Sequence, residues 1–97
     1  MEPWFVYPVS IAIQKFLEAK KEGSAADFYQ SYRDFKPTTS YSSITRYFWM
    51  LAQLGLIRFR RHVKGIGLIP KAMYELVPEK LDDPDWDHPQ KVLYYGK

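Results

Sequence analysis

The chain has 97 residues, a net charge of +3 and no cysteine. That length supports one small domain with a single core, and the missing thiols exclude disulfides and thiolate metal sites. No apolar run reaches the roughly 18 residues of a membrane helix, and the apolar start at residues 4–13 lacks the basic flank of a signal peptide.

Residues 1–8 carry Trp4, Phe5 and Tyr7 between two prolines and read as an extended aromatic arm. A first helix is expected over 9–22. Val9, Ile13, Phe16 and Leu17 share its inner face, Lys20 and Lys21 suit its negative end, and Gly23 is placed to stop it. Ser24 and Asp27 have the spacing of a capping box. They open a second helix that runs to about residue 35 on a stripe of Phe28, Tyr32 and Phe35.

Pro37 disfavours helix at Lys36, and Thr38, Thr39 and Ser40 each offer a cap for a third helix over 40–54. Ile44, Phe48, Leu51 and Leu54 form its apolar face. Gly55 then supplies a left-handed stop. Leu56-Ile57-Arg58-Phe59-Arg60 switches to strand alternation, with Ile57 and Phe59 on one face and Arg58 and Arg60 on the other. Strands are expected over 57–63 and 72–77, joined through the glycine-rich turn 64–67, with Pro70 at an edge or bulge. Residues 79–89 read as an acidic, proline-punctuated loop. Val92, Leu93, Tyr94 and Tyr95 form an apolar tail that suits a short docked strand.

Charge is unevenly placed. No acidic residue lies between Phe35 and Tyr74, an interval holding Lys36, Arg46, Arg58, Arg60, Arg61, Lys64 and Lys71. From Glu79 onward the balance turns acidic. A concentrated basic surface favours a polyanionic partner.

The order of three helices and two strands, with the Leu54-Gly55-Leu56-Ile57 junction, resembles the winged helix-turn-helix DNA-binding family over residues 9–77. The resemblance implies an α+β winged helix: three helices followed by a two-stranded β-hairpin wing, here with an N-terminal arm (1–8) and a C-terminal extension (79–97). It implies double-stranded DNA as partner, with the third helix in the major groove and the wing on the backbone or minor groove. Thr39, Ser40, Ser42, Ser43, Thr45 and Arg46 would then meet DNA from the helix. Thr39 suits capping better than contact, and Ser40 suits either role. Arg58, Arg60, Arg61, Lys64 and Lys71 would act from the wing, with Arg58 also placed to pair with Glu75 across the strands. Neutralising roughly four to six phosphates implies a slope of about −4 to −5 in log K against log salt.

A compact transcriptional regulator in the cytoplasm or nucleoid is the expected setting, and the lack of both cysteine and asparagine mildly suggests a thermophile. A homodimer is expected through Trp4, Phe5, Tyr7, Leu93 and Tyr94. Trp49 stands on the helix face that should be polar, so it is expected either under the aromatic arm or at a partner contact. That residue also favours an alternative, a winged-helix adaptor for other proteins. A third reading is RNA binding, with Tyr41, Tyr47, Trp49 and Phe59 stacking on bases wherever they are exposed.

Catalytic constellations are missing. His62 and His88 stand in unlike contexts, and Gly65-Ile66-Gly67 fits a hairpin turn rather than a phosphate loop. Asp83, Asp85 and Asp87 imitate the start of a calcium loop without its glycine or final glutamate. A binding protein without cofactor or metal is therefore expected rather than an enzyme.

Overall fold

The computed structural model describes residues 7–34, 36–64 and 70–95. Helix α1 spans Val9–Lys20, α2 Ala25–Tyr32 and α3 Tyr41–Gln53. Strands β1 (Ile57–Val63) and β2 (Lys71–Leu76) form an antiparallel hairpin, and after three single 3-10 turns a short helix α4 covers Val92–Tyr95. The fold class is α+β. Among the described residues no helix is long and apolar enough to cross a membrane.

The helices bury the faces that their periodicity marks out. Ile13, Phe16 and Leu17 of α1, Phe28 and Tyr32 of α2, and Ile44, Phe48 and Leu51 of α3 converge in one core. Phe28 lies at its centre. Its ring meets Phe16 edge-on at 5.4 Å, stacks on Tyr32 at 5.0 Å and lies 6.2 Å from Phe48. Such pairs add to the energy of simple burial.

The ends of α1 and α2 differ from the sequence expectation. Lys21, not Gly23, ends α1: it takes φ 75° and its N–H donates to the Leu17 carbonyl. Gly23 instead runs beside β2, exchanging two backbone hydrogen bonds with Tyr74 at 3.0 and 2.8 Å. Glycine is required there by crowding, since a Cβ would lie 2.5 Å from the Phe16 ring. The Ser24–Asp27 capping box forms as its spacing predicts. Helix α2 stops at Tyr32, and Phe35 lies outside the described residues.

Helix α3 ends as a Schellman motif. Gly55 takes φ 77°, its N–H donates to the Ala52 carbonyl, and the N–H of Leu56 reaches back to Leu51. Leu51 and Leu56 are both fully buried.

The acidic tail is not a loop. Prolines 78, 84 and 89 each open a 3-10 turn, a position where the missing N–H costs nothing. Between them Trp86 enters the core. Its indole N–H donates to the Lys80 carbonyl, and its own carbonyl accepts the buried Ser10 hydroxyl at 2.6 Å. Residues 92–95 are helical rather than a strand, and α4 packs on α3. Strand β2 runs from Lys71 to Leu76, one residue earlier than its alternation suggests.

Two substitutions test this architecture by thermal unfolding. Trp86→Ala is expected to cost about 3–5 kcal/mol, a loss that a solvated loop residue would not show. Gly55→Ala is expected to cost about 1–2 kcal/mol through backbone conformation alone, since the space around a new Cβ is open.

Candidate nucleic-acid interface

On α3, four side chains stand in one solvent-facing row: Ser42, Arg46, Trp49 and Gln53. They are spaced four, three and four apart, which is one face of a helix. Arg46 makes no ion pair among the described residues. Three of the neighbouring hydroxyl residues are engaged in the helix itself. Ser40 is the N-cap, accepting the Ser43 N–H at 3.1 Å and donating to the Ser43 hydroxyl. The Thr45 hydroxyl donates to the Ser42 carbonyl at 2.9 Å. Thr39 therefore does not cap. It sits half-buried in the preceding turn, its N–H on the Lys36 carbonyl.

The wing arginines lie elsewhere. Pairing runs Ile57 with Leu76, Arg58 with Glu75 and Phe59 with Tyr74, then steps to Arg61 with Met73, so Arg60 is the extra residue of a β-bulge. The bulge resets alternation, and Phe59 and His62 come to share a face with ring centroids 4.9 Å apart. Tyr74 lies 6.1 Å from Phe59 and 5.7 Å from Phe48 of α3. That face of the hairpin is thus turned toward α3. Arg58 and Glu75 alternate with these residues and point the other way.

On this outer face two carboxylates hold three guanidinium groups. Arg58 Nε donates to Glu75 at 2.6 Å, and Arg60 bridges Glu75 (2.7 Å) and Glu22 (3.4 Å). Arg61 pairs with Glu22. The Gly23–Tyr74 bridge sets Glu22 beside Glu75, an arrangement of like charges that Arg60 relieves. One positive charge remains uncompensated in the cluster. The hydrogen bonds from Arg58 and Arg60 hold the Glu75 carboxyl below the usual carboxylate range.

Lys71 is also paired, its ammonium 2.8 Å from Asp27. Burial pushes the Asp27 carboxyl up, but hydrogen bonds from Lys71 and Ser24 outweigh it and leave the group lowered. Lys64, at the end of β1, is exposed and makes no ion pair among the described residues.

The structure therefore brings Ser40, Ser42, Ser43, Thr45 and Arg46 together on α3 and separates Arg58, Arg60 and Arg61 from them. The concentrated basic surface expected from the acid-free interval is divided, with its wing arginines and Lys71 in ion pairs. Its paired cations draw their partners (Glu22, Asp27 and Glu75) from just outside the acid-free interval. Glu22 carried no periodicity or motif signal, because its partners lie far along the chain. Asp83 of the tail is occupied locally by Lys80 and by the Asp85 N–H, and Asp85 by Lys91.

Of the apolar residues singled out for contact, Trp4 and Phe5 lie outside the described residues. Tyr7 is half-buried with the Lys15 ammonium over its ring. Leu93 and Tyr94 are exposed, and Trp49 is 49% exposed. Trp49 forms one wall of a groove of about 660 Å³ between α3, the start of α2 and β2. Tyr41 and Tyr74 add aromatic surface to it, and Thr45, Gln53 and Gln30 add polar groups.

The arginine cluster carries a pH signature. A carboxylate lowered on folding adds stability above its unfolded pKa, and that stability is lost as pH falls through the folded value. Glu75→Gln is thus expected to lower the unfolding midpoint at neutral pH, and the gap to wild type to close as pH falls below the ordinary glutamate range. Circular dichroism melts across that range check it, and a constant gap contradicts it. No protein-family model, curated protein or solved structure matches this chain.

Proposed function

We propose that the protein is a winged-helix DNA-binding domain that sets α3 in the major groove of double-stranded DNA and acts as a compact transcriptional regulator. The observation that carries this is Arg46, a cation without an ion-pair partner among the described residues, in the middle of the solvent-facing row of α3. An arginine so placed can fork onto a guanine edge or grip a phosphate. The helix order and the left-handed Gly55 junction support the winged-helix assignment. Lys64 supplies the wing's contact with the backbone, and Lys36 in the turn before α3 adds a further cation.

The paired arginines on the outer face are assigned a smaller part in binding. With Arg46, Lys64 and Lys36 as the contacting cations, the slope of log K against log salt is about −2 to −3 rather than −4 to −5. The two-fold dimer common to such regulators would use the exposed Leu93 and Tyr94.

Exposure of Trp49 favours a second proposal, a winged-helix adaptor whose partner protein covers that indole. Titration of a labelled random-sequence duplex at two salt concentrations separates the two, since an adaptor gives no duplex binding even at low salt.

Within the DNA-binding proposal, Arg46→Ala is expected to weaken binding to a selected target by about 5- to 150-fold and to weaken random duplex less. Lys64→Ala should flatten the salt slope by about one unit, and Arg58→Ala should leave it unchanged. Fluorescence anisotropy measures all three. An Arg58→Ala effect as large as that of Lys64→Ala would return the outer face to the interface.

A further inference from the structure

The groove beside α3 has a composition that major-groove reading does not use. Trp49 and Tyr41 are 49% and 47% exposed, so two flat apolar rings meet water at the centre of the surface proposed to read DNA. Tyr41 meets Tyr29 edge-on at 5.5 Å, at the margin of the core. The core's aromatic contacts run through Phe16, Phe28, Tyr32, Phe48 and Tyr74.

The polar groups at the groove are neutral or neutralised. Gln30 and Gln53 are exposed and have no hydrogen-bond partner among the described residues. Thr45 has donated its proton within the helix and keeps acceptor capacity. The one charged pair, Lys71 with Asp27, cancels itself. Arg46 stands one turn before Trp49 on the same exposed row, outside the groove's lining, and makes no ion pair among the described residues. Flat rings, amide groups carrying both donors and acceptors, and a cation one helical turn away match the three parts of a nucleotide. A base stacks, its edge hydrogen-bonds, and its phosphate needs a positive charge.

We infer that the groove of Trp49 and Tyr41 receives an unpaired nucleobase, whose 5′ or 3′ phosphate is held by Arg46. Its volume of about 660 Å³ lies in the range of small-molecule sites and admits a nucleobase with room for its sugar. The inference rests on the proposal that α3 faces nucleic acid and names what that face takes in. The base is supplied by single-stranded DNA, by single-stranded RNA, or by a base extruded from a duplex. Trp49 and Tyr41 are the stacking residues in each case, and Gln53 and Gln30 reach the base edge.

The test compares four labelled probes of one sequence: a paired duplex, that duplex with a one-nucleotide bulge, single-stranded DNA and single-stranded RNA. At least one probe with an unpaired base is expected to bind more tightly than the paired duplex. It should also quench tryptophan fluorescence in a Trp4→Phe background, where Trp86 is buried and Trp49 is the exposed indole. Trp49→Ala should weaken that probe by about 5- to 150-fold, the range for one stacked base, and weaken the paired duplex by a smaller factor. Trp49→Phe should recover most of the loss. The relative strength of the DNA, RNA and bulge arms identifies the source of the base.

Equal binding of all four probes without quenching overturns the groove assignment and leaves duplex binding standing. Single-strand binding without duplex binding does the reverse. If no probe binds, both fall. A Trp49→Ala loss equal for every probe also overturns the assignment, and an unchanged circular dichroism melt shows that the variant has kept its fold.

Discussion

The left-handed turn at Gly55 sets the geometry on which the rest depends. It ends α3 and reverses the chain within two residues, so that Leu56 and Ile57 enter the core at once. Because strand side chains alternate, burying Ile57 sends Arg58 outward and Phe59 toward α3. The face assigned to every wing side chain before the bulge follows from one backbone conformation that glycine adopts without strain. After the bulge at Arg60 the parity changes, and Arg60 and Arg61 both reach Glu22.

Electrostatics then divides the molecule in two. The outer face of the hairpin is dense in arginine but internally compensated, and exposed ion pairs of this kind contribute little individually to stability. Their clearest structural effect is to tie the segment after α1 to the wing, alongside the Gly23–Tyr74 hydrogen bonds. The α3 face carries fewer cations, and those are uncompensated among the described residues. Counting basic residues along the chain therefore overstates the outer face and understates α3. A charge's field at a distance depends on its neighbours in space, which linear spacing does not report.

Much of the fold was legible in the sequence because it is governed by local chemistry. The helical stripes of α1, α2 and α3, the Ser24–Asp27 box and the Gly55 stop each depend on residues within about one or two turns of each other. The same periodicity places Trp49 on the helix face opposite the apolar stripe of α3, where it is exposed. What local sequence does not encode depends on contacts between distant residues. Trp86 sits in an acidic, proline-rich stretch whose composition reads as solvated, and only Ser10 and the α1 surface, far off in sequence, show why it is buried. Gly23 looked like a helix stop, but its smallness serves the Phe16 ring. The arginine–glutamate cluster was visible in only one of its pairs, Arg58 with Glu75, the pair that lies directly across the hairpin.

The hydrogen bond from the Ser10 hydroxyl to the Trp86 carbonyl joins residues 76 positions apart, and it bears on how the chain is made. On the ribosome, α1 emerges early with a hydroxyl on its buried side that has no partner until residue 86 has left the exit tunnel. An unmatched buried hydroxyl is costly, so the three-helix portion does not reach its final packing before residue 86 is available to it. A nascent chain stalled before Trp86 would expose apolar surface on α1, the kind of surface that chaperones and proteases recognise.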